Sequence, residues 1–180
     1  MHGMITIIQI FILLFVLLLG AIIGFSFWLT RRRQVFKPRS PAEYNLPFED
    51  AEFSTEDGLR LRGWWIPAGT DRTLILLHGF AGSLDPDVIY TPALHAAGFN
   101  ILQFDFRGHG RSDGGICTFG YLERRDVRAA LNFASRKGGC HFGVVGFSMG
   151  GMVAVLSAAE CPQIEAIVHD GGPARLSSAI

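Results

Sequence analysis

The chain has 180 residues, with 16 Lys and Arg against 16 Asp and Glu, and 49% of its residues are hydrophobic. This neutral balance argues against nucleic-acid binding, which relies on basic surfaces, and the apolar content argues against a disordered chain. The length suits about one folded domain. The charges are unevenly distributed, because residues 4–29 contain none and residues 31–39 contain five basic side chains and no acid.

Residues 4–29 form an apolar segment that predicts a transmembrane helix. A helix of this length is about 39 Å long, whereas a bilayer's hydrocarbon core is about 30 Å thick. A buried globular helix is rarely so long and uncharged, and a cleaved signal peptide would need a charged start and a small-x-small cleavage site. The basic residues 31–39 favour a cytoplasmic location for the C-terminal part of the chain. We therefore expect a single-pass membrane protein that contacts the lipid bilayer through residues 4–29.

Residues 30–50 contain three prolines and little apolar periodicity, so they predict a linker before a domain at residues 51–180. Gly20 and Gly24 have the small-xxx-small spacing of packed membrane helices, but glycine is common in such helices and the oligomeric state stays open. The cysteines form no CxxC pair, and their spacing predicts no metal site. They are Cys117, Cys140 and Cys161.

Beyond residue 50, strand-like and helix-like patterns alternate. Two strand-like runs, 51–55 and 59–67, flank the turn Glu56-Asp57-Gly58 and predict a hairpin. The later elements are predicted in this order: strand 73–77, a helix capped by Asp85 before Pro86, strand 99–104, helix 121–137, strand 142–146, helix 149–160 and strand 164–169. Such alternation predicts an α/β fold with a doubly wound, mostly parallel sheet.

The segment Gly146-Phe147-Ser148-Met149-Gly150 has the pattern G-x-S-x-G between a predicted strand and a predicted helix. A sharp turn at this point exposes the serine hydroxyl, and the glycines leave room for close backbone approach. The helix directs its free N–H groups toward the place where an oxyanion would form. This context predicts Ser148 as a nucleophile, although the pentapeptide by itself also occurs by chance.

Residues 78–80 (His-Gly-Phe) follow the predicted strand 73–77. A loop at the carboxyl end of a parallel strand lies beside the next crossover, so the N–H of Phe80 can face Ser148. Together with the N–H of Met149 it would form a two-donor oxyanion hole. The alternative is that His78 and Gly79 only turn the chain.

Residues 105–112 (DFRGHGRS) follow the predicted strand 99–104. Their glycines predict a turn held by Asp105 and Arg107. Substrate binding by the arginine and histidine side chains of this segment is the alternative.

Together these motifs have the order and spacing of a known family. They are His78-Gly79, Asp105-x-Arg107-Gly108-His109-Gly110-x-Ser112 and Gly146-x-Ser148-x-Gly150. Over residues 48–175 the chain resembles the α/β-hydrolase fold family, in particular its serine-aminopeptidase-like, membrane-anchored branch, in which an N-terminal helix precedes a TEDGLRLRGWWIPA-type hairpin.

The resemblance implies that Ser148 is the nucleophile and that the N–H groups of Phe80 and Met149 form the oxyanion hole. It also implies hydrolysis of esters, thioesters, amides or lipids without a cofactor. The expected partner is a small-molecule or lipid acyl substrate, which fold analogy cannot specify further.

In this family the catalytic acid and histidine come after the serine, on later loops. After Ser148 the sequence offers Asp170 and His169, which are adjacent at a strand end and should point to opposite faces of the sheet. Asp170 is the candidate acid, and no histidine is a clear candidate base. We therefore expect residues 51–180 to be the N-terminal two-thirds of a hydrolase domain, through an early-ending gene model, a remnant, or a partner that supplies the rest.

These observations support three hypotheses. The chain is a membrane-anchored serine hydrolase that uses Ser148, or a catalytically silent membrane protein that keeps the fold as a binding module, or a stretch that does not fold alone. The serine motif in its strand–helix context favours the first, because a hydroxyl in that position is suited to attack on a carbonyl. The missing acid and histidine favour the other two, because serine needs an imidazole to accept its proton.

Overall fold

The computed structural model describes residues 2–31, 39–80 and 82–171. The chain divides into two units, Met1–Arg31 and Arg32–Ile180. The first unit is helix α1, His2–Thr30. Its segment Met4–Thr30 has a mean hydropathy of 3.0 and no side chains buried against protein, so by length and composition it could cross a membrane or serve as a signal sequence.

The second unit is built on a six-stranded sheet with the order β1-β2-β4-β3-β5-β6. Strands β1 and β2 form an antiparallel hairpin, β2 pairs antiparallel with β4, and all other neighbours are parallel. The strands are β1 Glu49–Ser54, β2 Arg60–Ile66, β3 Arg72–Leu77, β4 Asn100–Phe104, β5 His141–Phe147 and β6 Ile164–Asp170. This mixed α/β sheet confirms the predicted fold class.

Side chains on successive strand residues point to opposite faces of the sheet. Helices pack on both of these faces. The helices of the second unit are α2 Thr91–Ala96, α3 Glu123–Arg136 and α4 Met149–Ala158. Helices α3 and α4 pack on the face that includes Ile75 and Leu77, whereas Leu94 of α2 packs on the other face with Leu76. The predicted stripe of α3 is buried: Val127, Ala130, Leu131 and Ala134.

The segment after Asp85 differs from the prediction of a capped α-helix. Residues Pro86–Tyr90 form a 3-10 helix, and only Thr91–Ala96 are α-helical. Asp85 makes no capping hydrogen bond, since its backbone is helical (φ −63°, ψ −44°) instead of extended. Its carboxylate instead accepts a 3.0 Å hydrogen bond from the Ser83 hydroxyl.

The predicted linker 30–50 is too long at its C-terminal end. Pro41–Tyr44 form a 3-10 helix, and β1 begins at Glu49. The side chains of Tyr44 and Leu46 pack against buried clusters of the domain. Residues 41–50 therefore belong to the folded unit, and the predicted residues 32–38 of the linker lie outside the described residues.

Candidate active site

Ser148 occupies the sharp turn between β5 and α4, where its side chain is exposed. Its backbone has φ 51° and ψ −114°, a conformation that non-glycine residues rarely adopt. Neighbouring glycines make the turn possible. A Cβ atom at Gly146 would lie 2.3 Å from the Gly150 carbonyl oxygen, and one at Gly150 would lie 2.2 Å from the Leu77 carbonyl oxygen. The two motif glycines therefore let α4 pass close to β3 and β5.

Backbone hydrogen bonds hold this elbow from two sides. The N–H of Ser148 donates to the Asp170 carbonyl oxygen at 2.7 Å, at the end of β6. The carbonyl oxygen of Ser148 accepts from the N–H groups of Gly151 at 3.0 Å and Met152 at 3.3 Å. The serine is therefore fixed at the carboxyl edge of the parallel strands, where ligands bind in open α/β sheets.

The predicted oxyanion loop lies next to the serine. A Cβ atom at Gly79 would be 3.3 Å from Ser148 Cβ, so only a glycine fits without displacing a neighbour. Met149 is the first residue of α4, and N–H groups at a helix start have no intrahelical acceptor. The pairing of the Phe80 and Met149 N–H groups as an oxyanion hole stays a prediction.

His78 ties this loop to the sheet. Its Nε2 accepts a 3.0 Å hydrogen bond from the Phe106 N–H, so the proton is on Nδ1, which donates to the Gly79 carbonyl oxygen at 2.8 Å. Burial, with a smaller contribution from His109, lowers the pKa of His78 to about 3. His78 is therefore neutral at physiological pH and has a positioning function for the loop.

The segment 105–112 forms the predicted turn. The Asp105 carboxylate accepts hydrogen bonds from the N–H groups of Leu84 and Arg111, each at 2.9 Å. Arg107 is buried and forms ion pairs with Asp57 at 2.8 Å and Asp126 at 2.7 Å. Both predicted turn residues are thus engaged in holding the scaffold, and the arginine is not available to a substrate.

The two candidates after Ser148 both lie at the carboxyl end of β6. The His169 ring packs on α4, where a Cβ atom at Gly151 would lie 1.9 Å from His169 Cδ2. Asp170 is exposed at the end of β6 and contacts Ser148 through its backbone carbonyl. No hydrogen bond joins the Asp170 carboxylate to a histidine within the described residues, so its function as the acid stays a prediction.

No histidine with a described side chain is hydrogen-bonded to the Ser148 hydroxyl. Most are engaged elsewhere: His95 with the Pro67 carbonyl, His109 with the Arg107 carbonyl and His141 with Glu165. The described residues also contain no group of three or more His, Cys, Asp or Glu side chains that could hold a metal ion.

Sequence reasoning missed the loop that precedes α3. The Cys117 sulfur lies 3.4 Å from the Met149 sulfur, which places this loop over the first turn of α4. Burial raises the pKa of the Cys117 thiol to about 12, so it is a packing group and not a nucleophile. Glycine at position 120 before a predicted helix was the available signal for a loop of defined conformation.

Comparisons with known proteins agree with this architecture. The family model of the α/β hydrolase fold matches residues 72–179. The esterase Pf2001 of Pyrococcus furiosus is 35% identical, with a TM-score of 0.75 over 81% of this chain and 59% of that chain.

One curated relative is the uncharacterized protein YfhR of Escherichia coli O157:H7, which is 32% identical over 68% of this chain and 46% of its own length. Another is an uncharacterized protein of Mycobacterium tuberculosis, which is 31% identical over 75% of this chain and 51% of its own length. The chain therefore spans about half the length of these relatives. Because the family model matches more than half of its residues, the chain belongs to the α/β-hydrolase fold family.

Proposed function

We propose that this chain is a membrane-anchored serine hydrolase that acts on an acyl ester, thioester or amide through Ser148. The backbone of Ser148 is the observation that carries the proposal, since φ 51° at a strand-to-helix turn exposes the hydroxyl beside Gly79. Oγ attacks the acyl carbon, and its proton passes to a base. The N–H groups of Phe80 and Met149 stabilise the oxyanion. The alcohol, thiol or amine then leaves with a proton, and water releases the acid.

Labelling with a fluorophosphonate tests this proposal. The full chain in nanodiscs is incubated with the probe, and the modified peptide is identified by mass spectrometry. We expect one phosphonylated residue, Ser148, and no labelling of Ser148→Ala. Ser112 is a matched control, because its buried hydroxyl donates to the Asp105 carbonyl and should stay unmodified. An unlabelled Ser148 in well-folded protein would exclude nucleophilic function for this chain.

The membrane part of the proposal rests on α1. Its uncharged segment Met4–Thr30 is long enough to cross a bilayer, and basic residues come directly after it. We propose that α1 is retained as an anchor and that the domain faces the cytoplasm. N-terminal sequencing of the mature protein distinguishes an anchor from a cleaved signal sequence. Protease treatment of intact spheroplasts should leave the domain undigested, and digestion there would place it outside.

A second candidate function is a catalytically silent binding module. Two observations favour it. The rings of His78 and His109 are hydrogen-bonded to backbone carbonyl groups. The ring of His169 lies against Gly151. This candidate predicts folded protein without hydrolysis of p-nitrophenyl acetate. Turnover that disappears in Ser148→Ala would reject it in favour of the hydrolase.

A further inference from the structure

Three non-glycine residues have a positive φ angle among those that the structure describes: Asn45 (54°), Phe119 (52°) and Ser148 (51°). Asparagine tolerates this conformation, and Asn45 ends a 3-10 helix. Ser148 occupies the elbow. Phe119 has no comparable explanation, because a bulky side chain disfavours the left-handed region and the chain uses glycine at nine other described positions with positive φ. Strain of this kind is typical of functional sites.

A buried carboxylate enforces the conformation of Phe119. Glu123, fully buried at the start of α3, accepts hydrogen bonds from the Thr118 N–H at 2.8 Å, the Thr118 hydroxyl at 2.8 Å and the Gly120 N–H at 2.7 Å. The Thr118 hydroxyl in turn accepts from the Leu122 N–H at 2.8 Å. These bonds fix the backbone on both sides of Phe119, so its orientation is set before any ligand binds.

The ring of Phe119 packs on the ring of Phe80, the residue of the predicted oxyanion loop. Its centroid lies 4.6 Å from that of the Phe80 ring, at an interplanar angle of 32°. Phe80 follows Gly79, the residue whose backbone faces Ser148. Phe80 and Phe119 are both only partly buried, and both pack against the main core cluster, so each side chain keeps an exposed apolar part.

A second aromatic pair adjoins the serine through the elbow itself. Phe147 directly precedes Ser148, and its ring stacks on Tyr90 with centroids 5.0 Å apart and an interplanar angle of 16°. Neither aromatic pair carries a charge. The rings themselves offer no ion-pair partner to a charged substrate group that loses hydration on them, whereas an alkyl or aryl group would be stabilised by burial.

We propose that Phe119 determines substrate specificity and that the substrate carries an uncharged alkyl or aryl group beside the scissile carbonyl, packed on the rings of Phe80 and Phe119. This inference rests on the proposed function of Ser148 and adds a substrate class to it. Glu123 and Thr118 are positioning residues, because they act on the substrate only through the backbone of Phe119.

Two fluorophosphonates that differ only in an ethyl or a hexyl group on phosphorus test this proposal. Each forms a bond from Ser148 Oγ to phosphorus and releases fluoride, while the serine proton goes to solvent. In the full chain in nanodiscs we expect the hexyl probe to label Ser148 roughly ten times faster than the ethyl probe, after correction for partitioning into the lipid. In Phe119→Ala this ratio should fall to near one, and Phe119→Leu should restore most of it.

Tyr121→Ala is the matched control. This residue is an exposed aromatic two positions along the chain, and its ring contacts the Arg124 guanidinium instead of Phe80. Its labelling ratio should equal that of the wild type. A wild-type ratio near one, or a high ratio that survives in Phe119→Ala, would overturn the proposal.

If neither probe labels Ser148, the proposed hydrolase function is rejected. The proposed apolar site on Phe119 is then tested by ligand binding alone. The probe is then 4-phenyl-2-butanone, an uncharged ketone, followed by saturation-transfer NMR with empty nanodiscs subtracted. Binding that is lost in Phe119→Ala and kept in Tyr121→Ala supports an apolar site on Phe119. Equal binding by the two variants, or none by the wild type, contradicts it.

Discussion

The elbow at residues 146–150 and the Phe119 loop, residues 117–120, each hold a non-glycine residue in the left-handed region, but by different means. At the elbow, close backbone packing enforces the conformation, because the motif glycines bring α4 to within contact of β3 and β5. At the Phe119 loop, side-chain chemistry enforces it, because one buried carboxylate accepts three hydrogen bonds from residues 118 and 120.

This difference determines how each region should respond to substitution. Packing of backbone on backbone cannot adjust to an added methyl group without moving a helix or a strand. A hydrogen-bonded loop can relax toward solvent when its acceptor is removed, and Thr118 and Phe119 are only partly buried. A substitution in the elbow should therefore destabilise the whole domain, whereas a substitution in the Phe119 loop should disturb only the loop.

Gly150→Ala should have the largest effect. The new Cβ would lie 2.2 Å from the Leu77 carbonyl oxygen and 2.8 Å from that of His78, both rigid backbone atoms. We expect the free energy of unfolding to fall by about 3 kcal/mol or more. Urea denaturation of the full chain in nanodiscs, followed by tryptophan fluorescence, measures it. Gly115→Ala is the control, because nothing lies within 4 Å of its added Cβ. Equal losses in the two variants would contradict the packing argument.

Glu123→Ala should have the next largest effect. It leaves the N–H groups of Thr118 and Gly120 and the Thr118 hydroxyl without their acceptor, which should cost about 2–3 kcal/mol. Because the loop can relax, hydrogen exchange should rise at residues 118–122 more than in β3 or β5. Glu165→Ala is the control, since that carboxylate is exposed on β6. Uniformly faster exchange over the whole domain would instead make the loop part of the global unfolding unit.

The two regions also differ in how far the sequence predicts them. The elbow is encoded by five consecutive residues, and its context of strand and helix was visible in the apolar pattern. The Phe119 loop depends on Glu123, which stands where acidic residues are common in the first turn of a helix. Nothing in the pattern distinguishes a buried carboxylate from an exposed one at that position. The Asp85 segment was mispredicted for a related reason, because its carboxylate binds Ser83 and does not cap a helix.

His78 gives the elbow side of the domain a pH dependence. Burial lowers its pKa to about 3 in the folded chain, from 6.5 for an unperturbed histidine. Between these two pH values the unfolded chain binds one more proton than the folded chain. The stability that the neutral His78 contributes is therefore complete above pH 6.5. Below that pH the free energy of unfolding decreases by about 1.4 kcal/mol per pH unit. Denaturation of wild type and His78→Asn at pH 7, 6 and 5 isolates this contribution. Parallel curves for the two proteins would refute the assignment.

The smallest effect separates strain from selectivity at Phe119. Phe119→Gly and Phe119→Ala both remove the ring, but only glycine adopts a φ of 52° without cost, so Phe119→Gly should be more stable by about 1 kcal/mol. The matched pair Asn45→Gly and Asn45→Ala, at φ 54°, calibrates this difference where no substrate is expected. Both Phe119 variants should lose the hexyl preference equally, because selectivity depends on the ring and stability on the backbone. A hexyl preference that survives in Phe119→Gly alone would mean that the loop conformation, and not the aromatic ring, selects the substrate.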